Sequence, residues 1–245
     1  MTDDELFVRV MHRLADVFEE HAILKGGMAL RLLDSPRSTT DLDYVFVPYR
    51  SKKEVRPLLE EALAGLEGAS YSLSVHSTMI RADVELNGAR IQIEGNVAER
   101  CASEPMATAP MARPAGHPSR VIRVMEFDVA LAHKLAAWNE RRLLRDLFDA
   151  HFLATRVGAR PDMDTLDARL SQVRSRLPSH RTRKRMTRSE LADALDRELE
   201  ALDADQIEEE LGPLLPREEL AGLDRRLRAR LTGLAESLRA GVDSA

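Results

Sequence analysis

The chain has 245 residues, 44% hydrophobic and 31% charged, with a formal net charge of −5, a composition typical of a globular protein with one large or two ordinary domains. No stretch resembles a membrane span, and the acidic start, residues 1 to 5, lacks the basic residues and apolar core of a signal peptide, so we expect a cytoplasmic protein without a membrane partner. The single cysteine, Cys101, excludes an internal disulfide and a cysteine-based metal cluster, and the seven histidines show no zinc-ligand spacing.

The first predicted elements are a helix, a short strand and a second helix. Apolar residues at helical spacing predict a helix over Leu6 to Phe18. The apolar run Ala22 to Leu24 favours a buried strand, and Met28 to Leu33 favours a helix. Between them, Gly26 and Gly27 predict a turn. Because its backbone lacks Cβ atoms, this turn can approach a triphosphate closely and donate N–H groups to its oxygens.

Two aspartates, Asp41 and Asp43, begin the next predicted strand. It continues through the apolar run Tyr44 to Val47 and stops at Pro48. Residues two apart on a strand share one face. Since carboxylates are hard oxygen ligands, we expect this pair to hold one or two Mg²⁺ or Mn²⁺ ions that also bind a nucleoside triphosphate.

Sites of this kind commonly use a third carboxylate, for which Glu94 is our candidate. Strict alternation over Arg90 to Glu94 places the two isoleucines on the buried face and the glutamate on the other. Glu85 and Asp83 compete for the same role. The end of a half-exposed strand explains Glu94 equally well.

The remainder of the first half predicts a helix and three strands before a linker. The segments are Val55 to Leu66 for the helix, and Tyr71 to Val75, Met79 to Leu86 and Ala89 to Glu94 for the strands. Asn87 and Gly88 favour a two-residue hairpin between the last two strands. Residues 102 to 120 are rich in proline and alanine and read as a loop or linker.

Beyond the linker the chain is dominated by helical patterns, after one more predicted strand over Val121 to Phe127. We therefore predict an α+β protein in which a mixed sheet flanked by helices, residues 1 to 120, precedes a C-terminal α-helical bundle, residues 121 to 245.

The stretches Leu24 to Leu32 and Arg37 to Asp43 resemble the AbiEii toxin family of nucleotidyltransferases, including its MenT-like members. Leu131 to Ala137 and Arg145 to Asp149 look similar to later motifs of that family, so the resemblance covers roughly residues 20 to 155. It implies a polymerase-β-type nucleotidyltransferase core whose active site is completed by a helical domain. It also implies a toxin with a separately encoded antitoxin, which in some members transfers nucleotides to tRNA 3′ ends.

The resemblance assigns catalytic roles to Lys134 and Asp146, with Asp149 as the less favoured acid of that helix. Pattern alone allows other interpretations. Lys134 can be a lysine at the edge of an apolar helix face that extends its ammonium into water. Asp146 can be the intrahelical partner of Arg142, four residues earlier.

The resemblance also makes Arg37 and Thr39 candidates for phosphate contact or for bracing the loop, and Lys25 is a similar candidate. A turn after Pro36 explains the first two without any ligand. Met28 departs from the family, which often has a small hydroxyl residue there, so a hydroxyl contact to phosphate is absent at that position.

A basic segment, residues 168 to 189, contains eight arginines and lysines and no acid, and an acidic segment follows it. Such a patch can bind RNA phosphates without reading sequence. Its candidate contacts are Arg181, Arg183, Lys184 and Arg185. Alternatively, these side chains face solvent or pair with the acidic segment.

The function that combines these features is metal-dependent nucleotidyl transfer. An acceptor hydroxyl, that of an RNA such as the 3′ end of a tRNA, attacks the α-phosphate of an NTP in line and pyrophosphate leaves. Two alternatives stay open. A small-molecule (antibiotic-type) nucleotidyltransferase would not need the basic segment, and a non-catalytic nucleic-acid-binding regulatory module would have a damaged metal site.

Overall fold

The computed structural model describes residues 1 to 174 and 185 to 240. The chain forms two compact units, Met1–Glu126 and Phe127–Ala245. The sequence places this boundary at residue 120, and the difference arises because the strand after that position joins the sheet of the first unit. No helix among the described residues is long and apolar enough to span a membrane.

The first unit is a seven-stranded mixed sheet with helices. Its helices are α1 (Asp3–Phe18), α2 (Gly26–Arg31), α3 (Lys52–Ala64) and α4 (Ala109–Ala112). Its strands are β1 (Ala22–Lys25), β2 (Asp41–Phe46), β3 (Ser70–Val75), β4 (Ile80–Leu86), β5 (Ala89–Val97), β6 (Ser103–Ala107) and β7 (Val121–Met125). The strand order is β3-β4-β5-β2-β1-β7-β6, in which β2 pairs with β5, and β1 with β7, in parallel.

One face of the sheet is apolar and the other is polar. In β4 and β5 every second residue is buried, because alternate side chains point to opposite faces of a strand. The buried face packs against α1 and α3, and we call the opposite one the open face. The predicted hairpin is confirmed, with positive φ angles at both Asn87 and Gly88, as a two-residue turn of this kind requires.

The segment from 102 to 120 is not only a loop, contrary to the prediction. It contributes β6 and the short helix α4. Proline has no backbone N–H to donate to a neighbouring strand, so the prolines of this segment, including Pro105, favoured the prediction of a loop. Since β6 is an edge strand of the sheet that the described residues form, it tolerates the proline.

The second unit is helical, as predicted. Its helices are α5 (Phe127–Arg141), α6 (Leu144–Phe152), α7 (Met163–Leu170), α8 (Arg188–Ala201), α9 (Ala204–Leu211), α10 (Arg217–Leu220) and α11 (Leu223–Ala240). Within this unit α11 packs mainly against α8, and α5 packs against α6 and α7.

Candidate active site

Asp41 and Asp43 lie on the open face of β2, as the sequence predicts. Both are partly exposed, whereas Leu42 between them is fully buried. The antiparallel register of β1 and β2 pairs Lys25 with Asp43. The two acids therefore lie next to the β1–α2 turn that contains both glycines.

Lys25 forms an ion pair with Asp43. Its Nζ is 3.5 Å from Asp43 Oδ1, and about a third of each side chain is exposed. At that distance the hydrogen bond is weak, because strong charge-assisted N–H···O bonds are about 2.7 to 2.9 Å long. The Asp43 carboxylate is thus loosely held and can accept another partner.

The two glycines have packing reasons as well as the predicted functional one. Gly26 has φ 73°, in the left-handed region that favours glycine, and a Cβ there would collide with the Asp43 carboxylate. A Cβ at Gly27 would collide with the Arg37 guanidinium and approach Thr39. The absence of side chains at the turn thus lets these three residues close around it.

Arg37 is 7% exposed, and its guanidinium donates to the Ser38 carbonyl oxygen at 3.1 Å. This supports bracing of the loop, one of the two roles that the resemblance offered for Arg37. Thr39 is half-buried beside Gly27, and the hydroxyl of Thr40 lies 3.3 Å from Asp41 Oδ1.

Glu94 lies on β5 directly beside Asp43, because the two residues are register partners in the parallel β2–β5 pair. Its carboxylate accepts hydrogen bonds from Arg81 at 2.5 Å and from Gln92 at 3.2 Å. Within residues 1 to 174 and 185 to 240, no group of three or more acidic, histidine or cysteine side chains is arranged to hold a metal ion. Glu94 as a third ligand stays a prediction.

The donor set nevertheless suits a hard divalent cation. Mg²⁺ is commonly bound by one or two carboxylates together with phosphate oxygens and waters, rather than by a cage of protein ligands. Asp41 and Asp43 share one accessible face and supply two such carboxylates. The residues present therefore fit a Mg²⁺ or Mn²⁺ ion that is completed by its substrate.

Lys134 and Asp146, the predicted catalytic residues of the second unit, belong to a buried ion cluster. Lys134 Nζ is 2.6 Å from Asp149 Oδ2 and 3.7 Å from Asp146 Oδ1, and both carboxylates are 0% exposed. Arg141 binds Asp146 through two hydrogen bonds of 2.7 Å. The side chain of Lys134 is 15% exposed.

The alternative pairing of Asp146 with Arg142 is wrong. The chain leaves the helix between α5 and α6, where Arg142 has φ 53°. This turn sends the Arg142 guanidinium over the Trp138 ring, at 4.1 Å from its centroid, and leaves Arg141 to bind Asp146.

Sequence reasoning missed Arg141 and ranked Asp149 too low as a partner of Lys134. The spacing of Asp146 and Asp149, three residues apart within an apolar helical pattern, was the available signal, because such residues share one helix face.

Most of the predicted RNA-binding patch cannot be placed. Arg181, Arg183 and Lys184 lie outside the described residues, and Arg185, which is described, is exposed. The role of this patch stays a prediction.

Comparison with known proteins gives one family and one fold. The model of the family described as "Nucleotidyl transferase AbiEii toxin, Type IV TA system" matches residues 9 to 232. The crystal structure of JHP933 from Helicobacter pylori is similar, with 16% identity, a TM-score of 0.52, and coverage of 98% of this chain and 93% of that one. A second H. pylori structure, described as a candidate nucleotidyltransferase, has 15% identity, a TM-score of 0.51, and coverage of 98% and 95%. At these identities the likeness concerns the fold. The curated proteins contain no match.

Proposed function

Since this chain belongs to the AbiEii family of nucleotidyl transferase toxins of type IV toxin–antitoxin systems, we propose that it transfers a nucleoside monophosphate from an NTP to the 3′ hydroxyl of an RNA, with tRNA as the acceptor. The observation that carries this proposal is the placement of Asp41 and Asp43 on one accessible strand face beside the glycine turn. The natural regulator of such an enzyme is a separately encoded antitoxin.

The residues of the first unit divide the work between metal and phosphate binding. Asp41 and Asp43 hold Mg²⁺ or Mn²⁺, which supplies positive charge to the triphosphate oxygens. Lys25 and the N–H groups of Gly26 and Gly27 bind the triphosphate. Arg37 and Thr39 hold the loop around the turn, since Arg37 is almost fully buried.

Glu94 has two possible duties that differ in chemistry. It can complete the metal site, or it can accept the proton of the attacking hydroxyl. Arg81 and Gln92 both donate to Oε1 of this carboxylate, so either duty would fall to Oε2. The strand register supports both, because it fixes Glu94 beside Asp43.

Lys134 and Asp146 enter the proposal through their family motif. We assign Lys134 the part of a phosphate-binding cation and Asp146 that of a positioning residue. The two buried carboxylates support this division, because they hold the ammonium in place while 15% of the Lys134 side chain is exposed. The basic residues Arg181, Arg183, Lys184 and Arg185 would bind the phosphates of the acceptor RNA.

The test incubates the purified full chain with each labelled NTP in turn, with total RNA or purified tRNA, and with Mg²⁺, Mn²⁺ or a chelator. We expect one or more NTPs to label RNA 3′ ends only when metal is present. Asp41→Asn should abolish labelling. Asp34→Asn is the matched control, because it removes the same charge from an exposed loop position and asparagine tolerates its positive φ. Labelling that survives in Asp41→Asn at high metal concentration would refute the metal assignment.

The basic segment is tested separately by changing Arg181, Arg183, Lys184 and Arg185 to glutamate. Binding of phosphates predicts a large rise in the KM for RNA that grows with salt concentration, with the KM for the NTP unchanged. The control reverses the charge of exposed arginines elsewhere in the second unit, Arg156 and Arg225. Undiminished transfer to RNA would show that the segment does not bind the acceptor.

A further inference from the structure

A groove of about 710 Å³ begins at Asp41 and crosses the open face away from the glycine turn. Its walls include Asp41, Gln92, Asp83, Ser72, Ser70 and Glu85. We call it the open-face groove. Since β1 and β5 flank β2 on opposite sides, the glycine turn and the open-face groove lie on opposite sides of the two aspartates.

The floor of this groove is one straight row of register partners. Asp41 pairs with Gln92, Gln92 with Asp83, and Asp83 with Ser72, so that four neighbouring strands each contribute one side chain. Three strand spacings of about 4.8 Å make the row roughly 14 Å long. That length accommodates one or two nucleosides, and the row ends at a carboxylate of the proposed metal site.

The charge of the groove opposes phosphate. Its one arginine, Arg90, is neutralised by Glu85 at 3.0 Å. The carboxylate of Asp83 has no hydrogen-bond or ion-pair partner in the described part of the chain, so it leaves a negative charge in the groove. A phosphodiester placed there would face the Asp83 carboxylate, whereas a sugar or a base would not be repelled.

The polar groups of the row are mainly hydrogen-bond acceptors. Asp83 is a carboxylate, and Gln92 donates one of its two amide N–H groups to Glu94 and keeps its carbonyl oxygen as an acceptor. Carboxylate and amide oxygens accept hydrogen bonds from the exocyclic amino groups of bases and from hydroxyls. A ligand of this row must therefore supply donors.

We propose that the open-face groove binds the terminal nucleoside of the acceptor through its amino and hydroxyl groups, and that it excludes the phosphates behind it. This inference rests on the proposed function and names the part of the RNA that lies at the reaction centre. Asp83 and Gln92 then determine which acceptors are used. RNAs that end in adenosine, cytidine or guanosine should be better substrates than RNAs that end in uridine, because uridine has no amino group.

The first test blocks the groove by Ser72→Trp, which places a large side chain at its far end. Ser74→Trp is the matched control, because it lies on the same strand and the same face but outside the groove. We expect kcat/KM for RNA to fall at least tenfold in Ser72→Trp, with the KM for the NTP unchanged, and to stay within twofold in Ser74→Trp. Equal effects of the two substitutions would overturn the proposal.

The second test asks what the groove recognises, with short RNAs that differ only in their last nucleotide. The wild type should favour amino-bearing ends over uridine by about tenfold, and Asp83→Asn should abolish that preference. Glu67→Gln, an exposed acid outside the groove, should preserve it. Persistence of this preference in Asp83→Asn would overturn the assignment of specificity to Asp83. Faster transfer to small polyamines than to any RNA would also overturn it.

A binding measurement separates this inference from the proposed function. If the wild type labels no RNA, the proposed function fails, and adenosine is titrated into the isotope-labelled full chain by NMR. Shifts at Asp83 and Gln92 that disappear in Ser72→Trp would still support a nucleoside site. Adenosine 3′-phosphate should bind more weakly than adenosine, and tighter binding of the phosphate would contradict the proposal.

Discussion

The two units hold their acidic residues in opposite ways. In the first unit, Asp43 is about one third exposed and lies 3.5 Å from Lys25. In the second unit, Asp146 and Asp149 are fully buried, and their contacts with Arg141 and Lys134 measure 2.6 to 2.7 Å. A loosely paired, hydrated carboxylate can exchange its partner for a ligand at small cost, whereas a buried pair cannot lose one member without leaving an uncompensated charge. We therefore regard the first cluster as the reacting one and the second as one that positions Lys134.

The largest effect on stability should come from Lys134→Met. Loss of the ammonium removes the 2.6 Å ion pair of the buried Asp149, so the free energy of unfolding should fall by about 3 to 5 kcal/mol. Urea denaturation monitored by fluorescence measures it, since the single tryptophan, Trp138, is fully buried on the same helix. Lys134→Arg, which keeps the charge, is the control. If Lys134→Met lowers the free energy of unfolding by less than about 1 kcal/mol, the buried ion pair of the second unit contributes no more to stability than an exposed pair does.

Gly26→Ala should have the next largest effect and should link packing to activity. A residue with a Cβ is strained at φ 73° by about 1 kcal/mol, and here the Cβ would also displace the Asp43 carboxylate. Gly88→Ala separates the backbone strain from the collision with the Asp43 carboxylate, because Gly88 has φ 83° but open space around it. We expect Gly26→Ala to lose roughly 2 to 3 kcal/mol of unfolding free energy and most transfer activity, and Gly88→Ala to lose only the strain. Equal losses would show that Asp43 does not pack against the turn.

Acidification should weaken the second unit through His151. Burial, reinforced by Arg226 and Arg230, lowers the pKa of His151 from 6.5 to about 4. Between these values the unfolded chain binds a proton that the folded protein does not, so the free energy of unfolding falls as the pH falls. Partial exposure and solvent screening limit the effect to about 1 to 2 kcal/mol. His151→Gln should flatten the pH dependence of the urea midpoint over this window, and His76→Gln, at an exposed position, should not.

The smallest effect should come from Asp43→Asn. A partly exposed pair contributes little, so the free energy of unfolding should change by no more than about 0.5 kcal/mol while transfer activity is lost. Thermal and urea denaturation measure the first quantity, and the labelling assay measures the second. A destabilisation above about 1.5 kcal/mol would mean that Asp43 is structural like Asp149.

The sequence predicts local features of this protein better than pairings between distant residues. Period-two alternation placed Glu94 on the open face, and the Asn87–Gly88 pair identified its hairpin, because both signals are contained within a few residues. The sequence did not predict β6. An edge strand accommodates Pro105, but the position of a strand within the sheet is not contained in the residues of that strand.

The same limit applies to the sites. The partner of Asp146 depends on a single positive φ at Arg142, which no spacing rule contains. The row from Asp41 to Ser72 is equally invisible in the linear pattern, because it is a property of four strands in register.

The parallel pairing of β2 with β5, and of β1 with β7, has a consequence for synthesis of the chain. Asp43 can meet Glu94 only after the intervening strands have been synthesised, and Leu24 can meet Val124 only when nearly the whole first unit has been made. Pairings so far apart in sequence form late and slowly. A nascent chain therefore carries both aspartates before the parallel strands that flank β1 and β2 have paired with them.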